Sequence, residues 1–397
     1  MRVLFSILWL LPFLCNGQFN VVAEQKIEFD YDRAVFINDT ARVYIKSIER
    51  NEIEYDKAKY GGIVSKTQQE IINPSWLDKI ELPEGEYFFN IHKRFLYTLK
   101  YDYKEGYYDI LVYDLTNISF SDPLFSKRYK VHWQPQLAGD GFILLTDNVY
   151  AEGKSIEILD PTLNQVYYSK EQYFYRNIQF SNYDNYIDFI IQHQKNRKSS
   201  FEFRRYDKAT EKILVNKKID LEISSIRKIK SSGEKLLILG QGKLQCINDE
   251  GNSIWINNDF ILPGQEFGFT KDKLYAVNFD YLAFLSLSNG NILNKTSITD
   301  FYDLKVPSVL KEQKYLSRVL YIDSFQNGDV YVMVGHAKKS PHINKYSKFN
   351  TQFFILNNRG EVKYSSEIFE KVETCYYSIH KSFVRVLIDK RNILYEN

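Results

Sequence analysis

Two stretches of this chain concentrate side chains suited to anion recognition. Gln192 to Ser199 carries His193, Lys195, Arg197 and Lys198, and His336 to Phe349 carries His336, Lys338, Lys339, His342, Lys345, Tyr346 and Lys348; neither holds an acidic residue. Three of the six histidines lie there. Clustered lysine and arginine raise a local positive potential and donate charge-assisted hydrogen bonds, the chemistry that holds an anionic glycan, a phosphate-bearing polymer or an acidic protein patch. No third ligand is spaced to join His336 and His342, so no metal is expected, and no cofactor either.

Helical metalloprotease spacing, a nucleophile elbow, a phosphate-cradling glycine loop and an EF-hand loop are all missing from the sequence. A constellation assembled from separate strands leaves no linear trace. The leading expectation is therefore a non-enzymatic protein that binds a protein or glycan partner, with an extracellular carbohydrate-active hydrolase or lyase as the alternative. Asp30-Tyr31-Asp32 is the one close carboxylate pair to note, and it reads as a solvated turn. Tyr101, Tyr103, Tyr107 and Tyr108 have two readings, stacking on sugar rings or packing at strand ends. His132, Trp133 and Trp76 are candidates for lining a central channel.

The elements that position these residues follow from a recurrence. Seven times an apolar run follows a short polar turn, starting near Phe95, Phe142, Ile187, Leu236, Leu274, Val330 and Phe383. Strand-like alternation within each unit, with almost no helical period, reads as the blade of a β-propeller. The 31 Tyr and 28 Phe agree, since aromatics fit half-buried pleated surfaces. Each unit parses as strands a, b, c and d. Ala138-Gly139-Asp140-Gly141, Asn182-Tyr183-Asp184-Asn185, Ser232-Gly233-Glu234 and Asn327-Gly328-Asp329 supply a-to-b turns, with residues that accept positive φ.

The expectation is an all-β, seven-bladed propeller of four-stranded antiparallel blades, with six or eight blades as alternatives. Phe383 to Ile388 and Ile393-Leu394-Tyr395 lack an outer strand, and an open edge invites aggregation. The N-terminal segments Val35 to Asn38 and Arg42 to Ile48 are the expected donors, closing the fold by pairing the two chain ends. Long b-to-c connections are expected at Tyr101 to Tyr107, Asn148 to Gly153, Gln192 to Ser199 and His336 to Phe349, all on one face.

The 52 basic and 50 acidic residues leave a formal charge of +2, so no whole-molecule field favours nucleic acid or an anionic membrane. Met1-Arg2, an apolar run from Val3 to Leu14 and then Cys15-Asn16-Gly17-Gln18 carry the marks of a signal peptide cleaved after Gly17. The run is shorter than the about 20 apolar residues that span a bilayer. A lipoprotein signal ending at Cys15 is the rival, disfavoured by the bulky Leu14 before it. The expected layout is thus a leader over 1–17 and a single propeller domain over 18–397, secreted or periplasmic. Beyond the leader only Cys246 and Cys375 remain, read as buried small hydrophobes, with a single bridge between them as the alternative.

An aliphatic strand, Asp, Asn or Ser, a Gly turn and a further strand recur in Leu282-Ala283-Phe284-Leu285-Ser286-Leu287-Ser288-Asn289-Gly290-Asn291-Ile292-Leu293 and in Leu244 to Trp255, with echoes at Ile156 to Val166 and Gln352 to Tyr364. This pattern resembles the degenerate repeats of quinoprotein-like (PQQ-like) propellers. The docking Trp that closes the family's repeats is matched only at Trp255, and the family's adjacent-cysteine ring has no counterpart, so quinone binding is not implied.

Overall fold

The computed structural model describes residues 20–26, 33–36, 42–55, 63–72, 80–102, 104–116, 120–147, 155–170, 175–195, 198–223, 225–240, 243–258, 267–269, 273–277, 281–297, 315–325, 327–338, 349–372, 375–380, 383–389 and 391–396. Every regular element among them is a β-strand.

After β1 (Asn20–Lys26), sheet I pairs β2 (Arg33–Phe36), β3 (Arg42–Tyr55), β4 (Ile63–Ile72) and β5 (Ile80–Glu81) in chain order. Sheet II holds β6 (Glu86–His92), β7 (Phe95–Asp102), β8 (Tyr107–Asp114) and β9 (Phe125–Lys130); sheet III holds β10 (Trp133–Leu137), β11 (Ile143–Asp147), β12 (Ser155–Leu159) and β13 (Gln165–Lys170). Sheet IV holds β14 (Tyr175–Tyr183), β15 (Tyr186–Lys195), β16 (Lys198–Asp207) and β17 (Lys212–Ile219); sheet V holds β18 (Ile226–Ser232), β19 (Lys235–Gly240), β20 (Leu244–Asn248) and β21 (Ser253–Asn257). Sheet VI holds β22 (Phe267–Phe269), β23 (Lys273–Val277), β24 (Tyr281–Ser286) and β25 (Ile292–Ser297). Sheet VII holds β26 (Tyr315–Ser324), β27 (Val330–Lys338), β28 (Phe349–Leu356) and β29 (Val362–Ser365), with β30 (Phe369–Val372) also pairing β28. Sheet VIII holds β31 (Cys375–His380), β32 (Phe383–Ile388) and β33 (Arg391–Glu396), completed by β1.

Phe29–Ile256 form one compact unit, and Met1–Glu28 with Asn257–Asn397 form a second. Within each, the hydrophobic clusters lie between consecutive sheets. Tyr97, Ile110 and Val112 of sheet II meet Ile143, Leu145 and Leu159 of sheet III, and Ile190 and Phe203 of sheet IV meet Ile229, Leu236 and Ile238 of sheet V. In the second unit, Phe284 of sheet VI meets Val332 and Phe354 of sheet VII, and Met333 and Phe353 meet Val384 and Tyr395 of sheet VIII. Central strands are consequently buried on both faces, as β12 is throughout, whereas outer strands such as β13 and β17 alternate. Four-stranded antiparallel sheets stacked in this way are propeller blades.

The sheets described number eight, seven of them four-stranded and antiparallel as expected of the blades and sheet VII carrying β30 as a fifth strand. The segments around Val35 and Arg42, expected to complete the last sheet, instead join β4 and β5 in a sheet of their own. The chain ends do pair, but through Asn20–Lys26 running antiparallel to β33. Cys246 and Cys375 are both free thiols.

One irregularity recurs on the outer strands. Just after the c-to-d turn the register slips by one residue in sheets III, IV, VI and VII, setting Val166, Leu214, Leu293 and Lys363 opposite no partner on the c strand. A bulge twists an edge strand away from further pairing. It also explains why Leu214 and Leu293, at 54% and 55%, are the most exposed large hydrophobic side chains described.

Candidate binding surface

The first basic stretch is a hairpin rather than a loop. Pairing of β15 with β16 continues from Tyr186↔Asp207 to Lys195↔Lys198, leaving two residues, 196 and 197, between the strands. Gln192 to Ser199 reads as a loop in the sequence because its residues are polar. A strand built of polar residues has no apolar alternation to betray it.

The base of this hairpin is held by charge. His193 is buried, at 8% exposure, with Nε2 3.3 Å from Glu202 Oε2. Arg204 Nε donates to Glu202 Oε1 at 2.6 Å, and its Nη1 donates to Tyr167 OH at 2.9 Å and Ser169 Oγ at 3.1 Å on sheet III. Hydrogen bonding from His193, then from Arg204, outweighs burial and holds the Glu202 carboxyl down at about 2. Gln192 Nε2 donates to Ser199 Oγ at 3.0 Å. His193, expected on the basic rim, is instead part of the anchor, and Lys198, Ser199 and Ser200 are the exposed residues beside the turn. Lys195 is the last residue of β15, and Arg197 lies outside the described residues.

His336 and Lys338 are strand residues of β27, facing Ser317 and Tyr315 across the β26 ladder. Lys339, His342, Lys345 and Tyr346 lie outside the described residues. The two basic stretches belong to different compact units. The expected connection at Tyr101 to Tyr107 is a tight turn, with Asp102 paired to Tyr107 and Gly106 N donating to Asp102 O at 2.9 Å. Asn148 to Gly153 lies outside the described residues.

The tyrosines form a row across sheet II. Tyr87, Tyr101, Tyr108 and Tyr129, one from each strand, follow one another at centroid distances of 5.7, 5.6 and 5.9 Å, and Trp133 of β10 continues the row 5.8 Å from Tyr129. Tyr108 is 1% exposed, which makes the middle of the row packing rather than a platform for sugars. Trp133 is half-buried in the same contact between sheets II and III, and His132 Nε2 is 3.7 Å from Asp147 Oδ1. Tyr103 and Trp76 lie outside the described residues.

Sequence reasoning missed the buried acids. Glu157 Oε1 accepts from Lys127 Nζ at 2.6 Å and Tyr129 OH at 2.7 Å, joining sheet III to sheet II. Asp188 joins sheet IV to sheet V through Ser231 Oγ at 2.7 Å. Glu86 accepts from Thr98 Oγ1 at 3.0 Å and Tyr113 OH at 3.1 Å, and burial raises its pKa despite these bonds. The available signal was a lone acid inside an apolar strand, as in Ser155-Ile156-Glu157-Ile158-Leu159.

No family model matches this sequence, and no curated protein matches it. Among solved structures the chain is similar to a eukaryotic initiation factor, with TM-score 0.51 and 11% identity over 93% of this chain and 83% of that one. It is also similar to the β-propeller domain of the Trilobed protease from Pyrococcus furiosus (TM-score 0.44, 12% identity, 94% and 95%) and to a protein of unknown function from Bacteroides caccae (TM-score 0.37, 10% identity, 65% and 89%). At these identities the likeness to the initiation factor concerns the fold alone.

Proposed function

We propose that the chain is an exported, non-enzymatic β-propeller protein that binds an anionic glycan through its b-to-c connections. The observation that carries this reading is the β15–β16 hairpin, whose basic turn region stands on a base fixed by the His193, Glu202 and Arg204 contacts. A base already fixed by such contacts leaves less conformational entropy to lose on binding. Its turn region, Lys195-Asn196-Arg197-Lys198-Ser199-Ser200, is basic and hydroxylic with no apolar or aromatic residue. Protein partners draw most of their binding energy from buried aromatic and Arg anchors. A polyanion needs distributed positive charge and hydrogen-bond donors, which this sequence supplies. The basic His336 to Phe349 connection is a second element of the same kind.

The leader over 1–17 supports release into the periplasm or the medium. The repeats are read as degenerate PQQ-like units that keep the architecture without a quinone. The test is a glycan array probed at low and high salt with the wild-type chain and with Lys195→Glu/Lys198→Glu. Binding to acidic glycans that weakens roughly tenfold or more on charge reversal, and fades with salt, is expected. Salt-insensitive binding, selection of an acidic protein instead, or no binding overturns the reading.

A further inference from the structure

Two sulfur atoms meet between sheets VII and VIII. Cys375 Sγ of β31 lies 3.1 Å from Met333 Sδ of β27, its S–H donating to the thioether. Met333 is fully buried, whereas Cys375 is only half-buried, so a small ion need cross little of the core to reach the pair. The walls are aromatic. Tyr331 and Tyr377 each stand two residues along a strand from one of the sulfurs, hence on the same face, and their rings stack at 5.2 Å between centroids. Phe353 and Tyr395 belong to the same cluster. Tyr321 OH donates to Cys375 O at 3.3 Å and fixes the β31 backbone beside the thiol.

Tyr331 carries an orphaned donor. Its side chain is wholly buried, yet among the described residues its hydroxyl has no hydrogen-bond partner. Burial first, and then the neighbouring Cys375, hold its pKa well above the usual phenol range, so it remains a neutral O–H donor. A buried donor without an acceptor is costly. The acceptor it lacks is supplied when a metal displaces the proton of Cys375 and leaves a thiolate beside it.

Charge selects the ion. A thiolate and a monovalent cation sum to zero, so the pair can sit among aromatic rings without the uncompensated charge that a divalent ion would leave. Thiolate and thioether together favour Cu(I). A structural Zn²⁺ takes four ligands, and no group of three or more His, Cys, Asp and Glu side chains placed to hold a metal occurs among the described residues.

We propose that Cys375 and Met333 form a binding site for a soft monovalent metal ion, Cu(I), with Tyr331 donating to the bound thiolate. Binding exchanges one ion for one proton. The Cys375 S–H bond breaks, the proton leaves to water, and Cu(I) bonds to Cys375 Sγ and Met333 Sδ with no change of oxidation state. A metal–sulfur bond is about 2.3 Å, so the sulfurs part from 3.1 Å to roughly 4.5 Å, a movement that the unbranched methionine permits. The site depends on neither the glycan reading nor export.

The test is an anaerobic titration of the full chain, carrying Cys15→Ser, with Cu(I) supplied as its bicinchoninate complex. Transfer of one Cu(I) per chain is expected, with an X-ray absorption spectrum that fits two sulfur neighbours. Met333→Leu, which keeps the core volume, should weaken uptake roughly tenfold or more, and Tyr331→Phe, which keeps the ring, about tenfold. Cys375→Ser should abolish uptake, and Cys246→Ala should leave it unchanged. No transfer from bicinchoninate, uptake unaltered by Cys375→Ser or Met333→Leu, or a shell of nitrogen and oxygen overturns the site. Unchanged affinity in Tyr331→Phe overturns the part given to the phenol. Equal retention of Zn²⁺ overturns the choice of a monovalent ion.

Discussion

Arg205 and Asp188 meet as a buried, bidentate pair across β15 and β16, with Nε donating to Oδ1 at 2.7 Å and Nη2 to Oδ2 at 2.8 Å. Ser231 of sheet V adds a third donor to Asp188 Oδ2, and the Arg205 guanidinium lies 5.1 Å from the Tyr186 ring centroid. The pair therefore fastens two neighbouring sheets inside the unit that carries the basic hairpin.

Removing the carboxylate strands a buried guanidinium. Asp188→Ala should cost about 3–5 kcal/mol, read as a lowered urea midpoint, because one partner's desolvation is then uncompensated. A loss below about 1 kcal/mol would show that Arg205 finds another acceptor and that the pair does not secure the junction.

Gly251 carries two constraints at once. Its φ of +81° disfavours any Cβ, and an added Cβ would come within 2.7 Å of Ile219 Cγ2 on sheet IV. Gly233, with φ +60° and open space around it, carries only the first. Gly233→Ala should cost about 1 kcal/mol and Gly251→Ala about 2–3 kcal/mol. Equal losses in thermal or denaturant melts would mean that the sheet junction yields without strain.

Acid should loosen the hairpin base. Glu202 keeps its proton off down to about 2, against an ordinary 4.5, so the folded state binds fewer protons than the unfolded state between those values. The stabilisation is fully present above pH 4.5, is lost as pH falls towards 2, and amounts to about 2–3 kcal/mol. Glu202→Gln should flatten the stability profile there and lower stability above pH 5 by about the same 2–3 kcal/mol, since the ionised carboxylate's contribution is then gone. An unchanged slope in the variant would assign acid sensitivity to other carboxylates.

Neither remaining thiol should react in the native protein. Burial pushes Cys246 and Cys375 up to about 12, and Cys375 Sγ lies 3.1 Å from Met333 Sδ inside the contact between sheets VII and VIII. With Ellman's reagent at pH 8 the folded chain should titrate no thiol beyond the leader, and both should appear on unfolding. Rapid labelling of Cys375 in the native state would indicate that sheets VII and VIII separate readily.

The blade itself was legible in the sequence because its signals are local. Asp140, Asp184, Gly233 and Gly328 take the positive φ that their turns require, at 52°, 50°, 60° and 90°, and the apolar runs at Ile143 and Leu236 became central strands. Termination of the chain without an outer strand also pointed correctly to pairing of the ends. The donor was misplaced because Asn20–Lys26 and Arg42–Ile48 look alike as strands, and propensity says nothing of which edge a strand will find.

The candidate surface was only half legible. Composition marked Lys195 and Lys198 as basic, but nothing local revealed that His193 would turn inward to Glu202 or that the stretch was a hairpin. Strand identity, turn sites and the recurrence that sets blade after blade depend on residues within a few positions of one another, and the sequence determined them by itself. Partner choice depends on groups far apart in the chain: β1 with β33, Asp188 with Ser231, Arg204 with Tyr167. Only the tertiary structure decided those, since a buried charge or an open strand edge settles wherever packing brings a complementary group within reach.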